Sequence, residues 1–164
     1  NKWVIPGTGI LMNNEMDDFA ASTTEANQYG LLGNTANAIA PGKRMLSSMT
    51  PTLVLKDNAP VLITGSPGGS TIITTVLQVI LNVIDHGQPL AQAVAAPRVH
   101  HQWQPDVIDF EKGRLSGTVI ADLKARGHSL QARSAIGVAN SILVMDGQFE
   151  GVADPRDMGA AAGF

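Results

Sequence analysis

The chain has 164 residues, 44% of them hydrophobic and 15% charged, with a net charge of −3. That composition describes one well-buried globular domain, spanning 1–164, and excludes a disordered chain. The absence of any Lys/Arg run argues against nucleic acid as a partner, no apolar run is long enough for a membrane helix, and the lack of cysteine excludes disulfides, thiol catalysis and zinc–thiolate sites.

Asn1-Lys2-Trp3-Val4-Ile5-Pro6 reads as a strand already under way, with neither an initiating Met nor a signal peptide. The expectation is a processed subunit or a piece of a longer protein. Two short apolar runs, Trp3–Ile5 and Ile10–Met12, flank a Pro/Gly turn at 6–9. Asn13–Phe19 follows, polar and with three carboxylates in four residues: Glu15, Asp17 and Asp18. This spacing predicts a strand end or loop. Residues 20–42 show no period and read as a long loop, of the kind that serves as a lid or binding loop. Thr52–Leu55 and Pro60–Thr64 are β-prone runs separated by Lys56-Asp57-Asn58-Ala59, a hairpin signal.

The stretch Thr64-Gly65-Ser66-Pro67-Gly68-Gly69-Ser70 joins the second of these runs to a long apolar segment ending at His86. It reads as strand, glycine turn, helix. Two adjacent glycines permit unusual backbone angles, and the helix start presents unpaired N–H groups and a positive dipole end. Such a turn suits a bound anion or an oxyanion formed in reaction. It equally suits a plain strand-to-helix connection capped by Ser70, and from the glycines alone that plain reading leads. The apolar positions from Ile72 to Ile84 cover most of a helical circumference, which predicts a central buried helix stopped by Gly87.

Leu90–Ala96 is predicted as a short helix ending before Pro97, Val107–Phe110 as a strand, and Ser116–Arg126 as a helix. In that helix Ser116 caps, Val119, Ile120 and Leu123 face inward, and Gly127 ends it. His128–Ala132, Ser141–Met145 and Phe149–Ala153 read as strands, the last two forming a hairpin on Asp146-Gly147. The tail Met158–Phe164 is small and apolar, suited to tight packing. Strands, then helices, then strands indicate an α+β fold with a mostly antiparallel sheet.

Three polar groups invite chemistry. Glu15, Asp17 and Asp18 have neither calcium-loop spacing nor a nearby His, so a metal fits poorly; an ammonium ligand and a solvated strand end both remain open. Ser47-Ser48, after Lys43-Arg44, can hold a carboxylate or cap a turn, with the cap favoured. His100 and His101 are adjacent on extended chain and face opposite ways, so a structural role is favoured for both, and Trp103 reads as core or interface. Gly65-Ser66-Pro67-Gly68 fails as a nucleophile elbow, which requires Gly-x-Ser-x-Gly. No metal or cofactor is called for.

Taken together, five strings resemble the small subunit of the γ-glutamyltranspeptidases: Pro6–Phe19 (PGTGILMNNEMDDF), Pro41–Pro51 (PGKRMLSSMTP), Gly65–Ser70 (GSPGGS), Ala96–Trp103 (APRVHHQW) and Asp154-Pro155-Arg156. They stand in family order and spacing across the chain. The resemblance implies an N-terminal-nucleophile hydrolase with an αββα sandwich, incomplete in this chain. In that family a precursor cleaves itself, and the new N-terminal Thr is the nucleophile with its own α-amino group as base. The γ-glutamyl group of glutathione or a related amide passes to water, an amino acid or a peptide. By motif, Gly68 and Gly69 are expected to supply oxyanion-hole amides. Glu15 and Asp18 are expected to hold the α-ammonium of the γ-glutamyl group, and Ser47 and Ser48 its α-carboxylate. An Arg from a large subunit of the same precursor is expected to assist the serines. The loop Ala20–Ala40 falls where many members carry a lid, and Tyr29 where some have a gating aromatic.

Two departures stand out. Met45 replaces a usual Pro, loosening the turn before Leu46-Ser47-Ser48. The catalytic Thr is expected upstream of Asn1, which itself cannot serve, so this chain alone is expected to be inactive. The resemblance also implies a bacterial protein of the periplasm or exterior. The rival within the fold is a cephalosporin or glutaryl acylase. Such acylases tend to lose the ammonium-binding acids, and Glu15 and Asp18 argue against that choice. The rival from another class is a non-catalytic homologue acting as an interaction module.

Overall fold

The computed structural model describes residues 3–163; Asn1, Lys2 and Phe164, and with them the start of the anticipated first strand and the end of the tail, lie outside the described residues. The chain forms two compact units, Asn1–Ser47 and Ser48–Phe164.

The first unit is built from turns. The expected pair of apolar runs meets as one antiparallel bridge, Val4↔Leu11, closed by the Ile5 amide on the Ile10 carbonyl at 2.9 Å and the Met12 amide on the Trp3 carbonyl at 2.8 Å. The acidic stretch is a single 3-10 turn, Glu15–Asp18, rather than a strand end or loop. Asn13 explains the difference: its Oδ1 accepts from the Glu15 amide at 3.0 Å, and the Asp17 amide reaches the Asn14 carbonyl, so the local side chain starts the turn. The long loop contains a second 3-10 turn, Thr35–Asn37, started by the Asn34 side chain, and a parallel bridge Ala20↔Ala38. A Cβ on Gly33 would fall 2.2 Å from that of Ala20, so only glycine fits there.

The second unit carries the regular elements. In chain order they are β1 (Thr52–Lys56), β2 (Ala59–Gly65), α1 (Thr71–Ile84), α2 (Leu90–Ala95), β3 (Val99–His100), β4 (Ile108–Glu111), α3 (Gly117–Ala125), β5 (Leu130–Arg133), β6 (Asn140–Met145) and β7 (Gln148–Val152). Strands β1-β2-β6-β7 form one sheet, antiparallel throughout. Both its hairpins turn on two residues at positive φ, Asp57 and Asn58 in one and Asp146 and Gly147 in the other, the backbone that type I′ turns need. Strands β3-β4-β5 form a smaller sheet whose β4–β5 pair is parallel, with α3 in the crossover that a parallel pair requires.

Leu62, Val79, Leu90, Val94 and Ala139 form the core, flanked by Val54, Ile80, Val83, Leu143 and Val152. One sheet face therefore packs on α1 and α2. Burying Leu62, Val79, Leu90 and Val94 is worth roughly 1.5–3 kcal/mol for each side chain. The expectation that α1 is buried nearly all round is corrected. Ile72, Thr75, Val76 and Val79 are buried, whereas Ile73, Leu77, Leu81 and Ile84 form an exposed stripe. β2, α2 and β3, the last bonded to Thr74 and Gln78, leave this side of the helix uncovered among the described residues. In α3, Ser116 caps as expected, its Oγ accepting from the Val119 amide at 3.2 Å, but no α3 residue is fully buried and Val119 is exposed. The tail is not tightly packed: its described residues are exposed, Met158 fully so, although Ala161 approaches β7 closely enough that a Cβ on Gly151 would lie 3.1 Å from its own.

Candidate active site

Strand β2 delivers the chain into the glycine turn. Gly68 has φ 136° and Gly69 φ 58°, both in the region other residues avoid. The carbonyls of the turn are used: Gly68 accepts from the Thr71 amide at 3.2 Å and the Thr71 hydroxyl at 2.9 Å, and Gly69 accepts from the Ile72 amide at 3.1 Å. The amides of Gly68 and Gly69 meet no acceptor among the described residues. They precede the 14-residue α1 at its positive dipole end. The expected N-cap role of Ser70 is not found. Ser70 is already helical, with φ −61° and ψ −25°, and its side chain caps nothing, because the two glycine carbonyls receive the first helical amides instead.

Ser66 is no free nucleophile. Its Oγ donates to the Pro67 carbonyl at 2.7 Å and accepts from the Val138 amide at 2.9 Å. Gly137, at φ 64°, passes beneath it. A Cβ there would meet the Thr75 Oγ1 at 2.5 Å and the Ser66 Oγ at 2.7 Å.

The segment carrying Gly137 is held by buried charges that sequence reasoning missed. Glu111 accepts the Ile136 amide at 3.1 Å, and Asp154 accepts the Ala139 amide at 2.6 Å. Arg98 binds Asp154 at 2.7 Å and the carbonyls of Val94 and Ile136. Arg156 binds Glu111 through both Nε and Nη2 and Asp154 at 3.1 Å. Burial alone would raise the Glu111 and Asp154 pKa values. The Arg156 hydrogen bond for Glu111, and the Ala139 and Arg156 amides with Arg98 for Asp154, outweigh it and hold both carboxyls below their ordinary range. Burial lowers Arg98, whereas Arg156, with two carboxylate partners, is raised. Arg98 and Asp154-Pro155-Arg156 stand inside the family-like strings, which was the available signal. Glu111, one residue beyond a predicted strand, offered none.

In the first unit the structure gathers Glu15, Asp18 and Tyr29. The Tyr29 hydroxyl accepts from the Asn14 side chain at 3.1 Å, beside Glu15. The loop at 27–31 is tied to the acidic turn by the Asn27 side chain on the Asp17 carbonyl and the Gln28 amide on the Asp17 carboxylate. Asp18 has its pKa raised, first by partial burial and then by Glu15 and Asp17. Lys43 is committed locally, its ammonium donating to the Ala36 and Ala38 carbonyls at 2.6 and 2.9 Å. Ser47 ends the first unit and is exposed; Ser48 opens the second, and its carbonyl accepts from the Thr50 hydroxyl.

His100 is buried between the Thr74 hydroxyl and the Gln102 side chain, a structural placement, and His101 faces Asp106 at 3.0 Å. Trp103 is 77% exposed at φ 69°, not part of the core.

The family model described as gamma-glutamyltranspeptidase matches residues 1–164. The chain belongs to the γ-glutamyltranspeptidase family. It is 51% identical over 152 residues to the glutathione hydrolase proenzyme of Escherichia coli, covering 92% of this chain and 26% of that protein. The chain thus spans about a quarter of the curated relatives it matches. The γ-glutamyltranspeptidase of Pseudomonas nitroreducens complexed with L-DON superposes with a TM-score of 0.89 at 44% identity, covering 99% of this chain and 86% of that chain. A cephalosporin acylase from Bacillus halodurans superposes less well, with a TM-score of 0.73 at 28% identity, over 93% of this chain and 27% of that chain. The fold of this γ-glutamyltranspeptidase chain is that of the N-terminal-nucleophile hydrolases, present in part. Helices α1 and α2 on the β1-β2-β6-β7 sheet supply one helix layer and one sheet layer of the αββα sandwich.

Proposed function

We propose that this chain forms part of a γ-glutamyltranspeptidase that transfers or hydrolyses the γ-glutamyl group of glutathione and related amides through a Thr acyl-enzyme. Its Gly68 and Gly69 amides stabilise the oxyanion of the tetrahedral intermediate. Glu15 and Asp18 bind the α-ammonium of the donor, Ser47 and Ser48 its α-carboxylate, and Tyr29 gates the site. A zwitterionic donor needs an anionic wall and a donor-rich wall, and these residues supply both. Asp18, crowded by Glu15 and Asp17, gains from a cation. The complete enzyme pairs this chain with a large subunit from the same precursor, a reading supported by the proenzyme names of its relatives. It works in the periplasm or outside the cell. The single observation that carries the chemical reading is the glycine turn: two successive amides without an acceptor among the described residues, at the start of α1, in a chain of this family.

The rival donor is a glutaryl group, which lacks the ammonium. The acids and the higher identity to γ-glutamyltranspeptidases than to the cephalosporin acylase favour γ-glutamyl. Initial rates of the complete processed protein on a γ-glutamyl anilide and a glutaryl anilide decide between them. The expected result is strong preference for the γ-glutamyl compound; preference for the glutaryl compound overturns the proposal.

A further inference from the structure

Amide direction is set by the whole peptide plane. Across a trans peptide the C=O and N–H point opposite ways, so a group that fixes a carbonyl fixes the next residue's N–H. In the glycine turn both relevant carbonyls are fixed by hydroxyls. Ser66 Oγ donates to the Pro67 carbonyl at 2.7 Å, and the N–H of that peptide is Gly68's. Thr71 Oγ1 donates to the Gly68 carbonyl at 2.9 Å, and the N–H of that peptide is Gly69's.

Ser66 is itself anchored. It accepts from the Val138 amide, in a segment held by Glu111 at Ile136 and by Asp154 at Ala139. Thr71 lies against Gly68, where a Cβ would come within 2.5 Å of its hydroxyl. A hydrogen bond to a carbonyl also polarises its peptide and strengthens its N–H as a donor. Glycine angles alone leave such peptides free to rotate; the Ser66 hydroxyl restrains the Pro67–Gly68 peptide, and the Thr71 hydroxyl adds the shorter of two bonds, beside the Thr71 amide at 3.2 Å, that restrain the Gly68–Gly69 peptide.

We propose that Ser66 and Thr71 are positioning residues for the oxyanion hole, each holding from the carbonyl side the peptide whose N–H binds the oxyanion. The proposal rests on the reading of Gly68 and Gly69 as that hole. It adds a role for two side chains that do not touch substrate.

The test uses the complete processed enzyme with a γ-glutamyl anilide. Ser66→Ala removes one hydroxyl; Thr71→Val removes the other while keeping shape, and Thr71→Ser keeps it. Two inhibitors separate the states: glutamate reports the ground state, and a γ-boronic acid analogue of glutamate reports the tetrahedral anion. Ser66→Ala and Thr71→Val are each expected to lower kcat by about tenfold or more, with KM within about twofold. Boronate affinity falls by the same factor, and glutamate affinity holds. Thr71→Ser restores kcat to within about twofold, and the double variant approaches the ~10²–10³ loss of a whole oxyanion donor.

Unchanged kcat and boronate affinity in Ser66→Ala and Thr71→Val overturn the proposal, as does a parallel loss of glutamate and boronate binding. If Ser66→Ala fails to mature, the Thr71→Val and Thr71→Ser pair decides alone. Gly68→Ala distinguishes the two levels. If it also retains full kcat, the oxyanion-hole reading itself fails. If it abolishes turnover while the hydroxyl variants do not, only the positioning role fails.

Discussion

Arg98 and Asp154 meet at 2.7 Å with neither side chain reaching solvent. Asp122 and Arg126 make an equally short contact, at 2.8 Å on the surface of α3. The two pairs should behave very differently. Asp154→Asn leaves a buried guanidinium without its charge partner, expected to cost about 3–5 kcal/mol. Asp122→Asn should cost less than about 1 kcal/mol, because water already screens that pair. Denaturant unfolding of the two variants beside the parent measures the contrast. Equal costs would mean that the buried network does not hold the fold.

The same network sets the acid response. Glu111 and Asp154 have pKa values held below their ordinary 4.5 and 3.8. A depressed carboxyl contributes stability that is full above the ordinary value and is lost as pH falls through it and on to the folded-state value. Asp18 is raised, so its contribution has the opposite sign: present at low pH and lost as pH rises through its folded value. The two buried acids outweigh this more exposed one. Unfolding midpoints should therefore fall between about pH 5 and pH 3. In Asp154→Asn the fall should be shallower.

Local signals found the hairpins, because Asp57-Asn58 and Asp146-Gly147 state their turn type in the residues themselves. They found α1 and its glycine turn, where periodicity and backbone permission are also local. They misjudged the burial of α1, since Ile73 and Leu77 differ from Ile72 and Val76 only in what packs beside them. The acidic 3-10 turn was hidden for a related reason: the Asn13 side chain overrides a spacing that looked extended. The Arg98–Glu111–Asp154–Arg156 network joins residues far apart in sequence, and no local pattern announces such pairings. The anchoring of Ser66 was similarly invisible, because its partner Val138 lies 72 residues away.

Asp18 offers a test of the ammonium site. In Asp18→Asn the repulsion from Glu15 and Asp17 is relieved, so the fold should not suffer. With Asp18 in its proposed ammonium-binding role, the variant should lose a charged hydrogen bond to the donor worth about 1.5–3 kcal/mol, or roughly 10- to 100-fold in KM for a γ-glutamyl anilide. The rate on a glutaryl anilide, which has no ammonium, should be the same in variant and parent. Steady-state kinetics on the two substrates separate a binding role from general damage, which would depress both.

Gly68 and Gly69 are not equivalent. At φ 136° Gly68 occupies backbone space essentially closed to other residues, and a Cβ would meet Thr71 Oγ1 at 2.5 Å. Gly69, at φ 58°, sits in the left-handed region that other residues enter for about 1–2 kcal/mol. Gly68→Ala must therefore rotate its peptide and displace the hydroxyl that holds the next one. It should lower kcat by ~10²–10³, the range for losing an oxyanion donor. Gly69→Ala keeps its amide in place at a modest cost in stability and should retain kcat within about tenfold. Single-turnover acylation rates measure both without interference from product release. The reverse order of severity would mean that the turn presents its amides differently from the arrangement described.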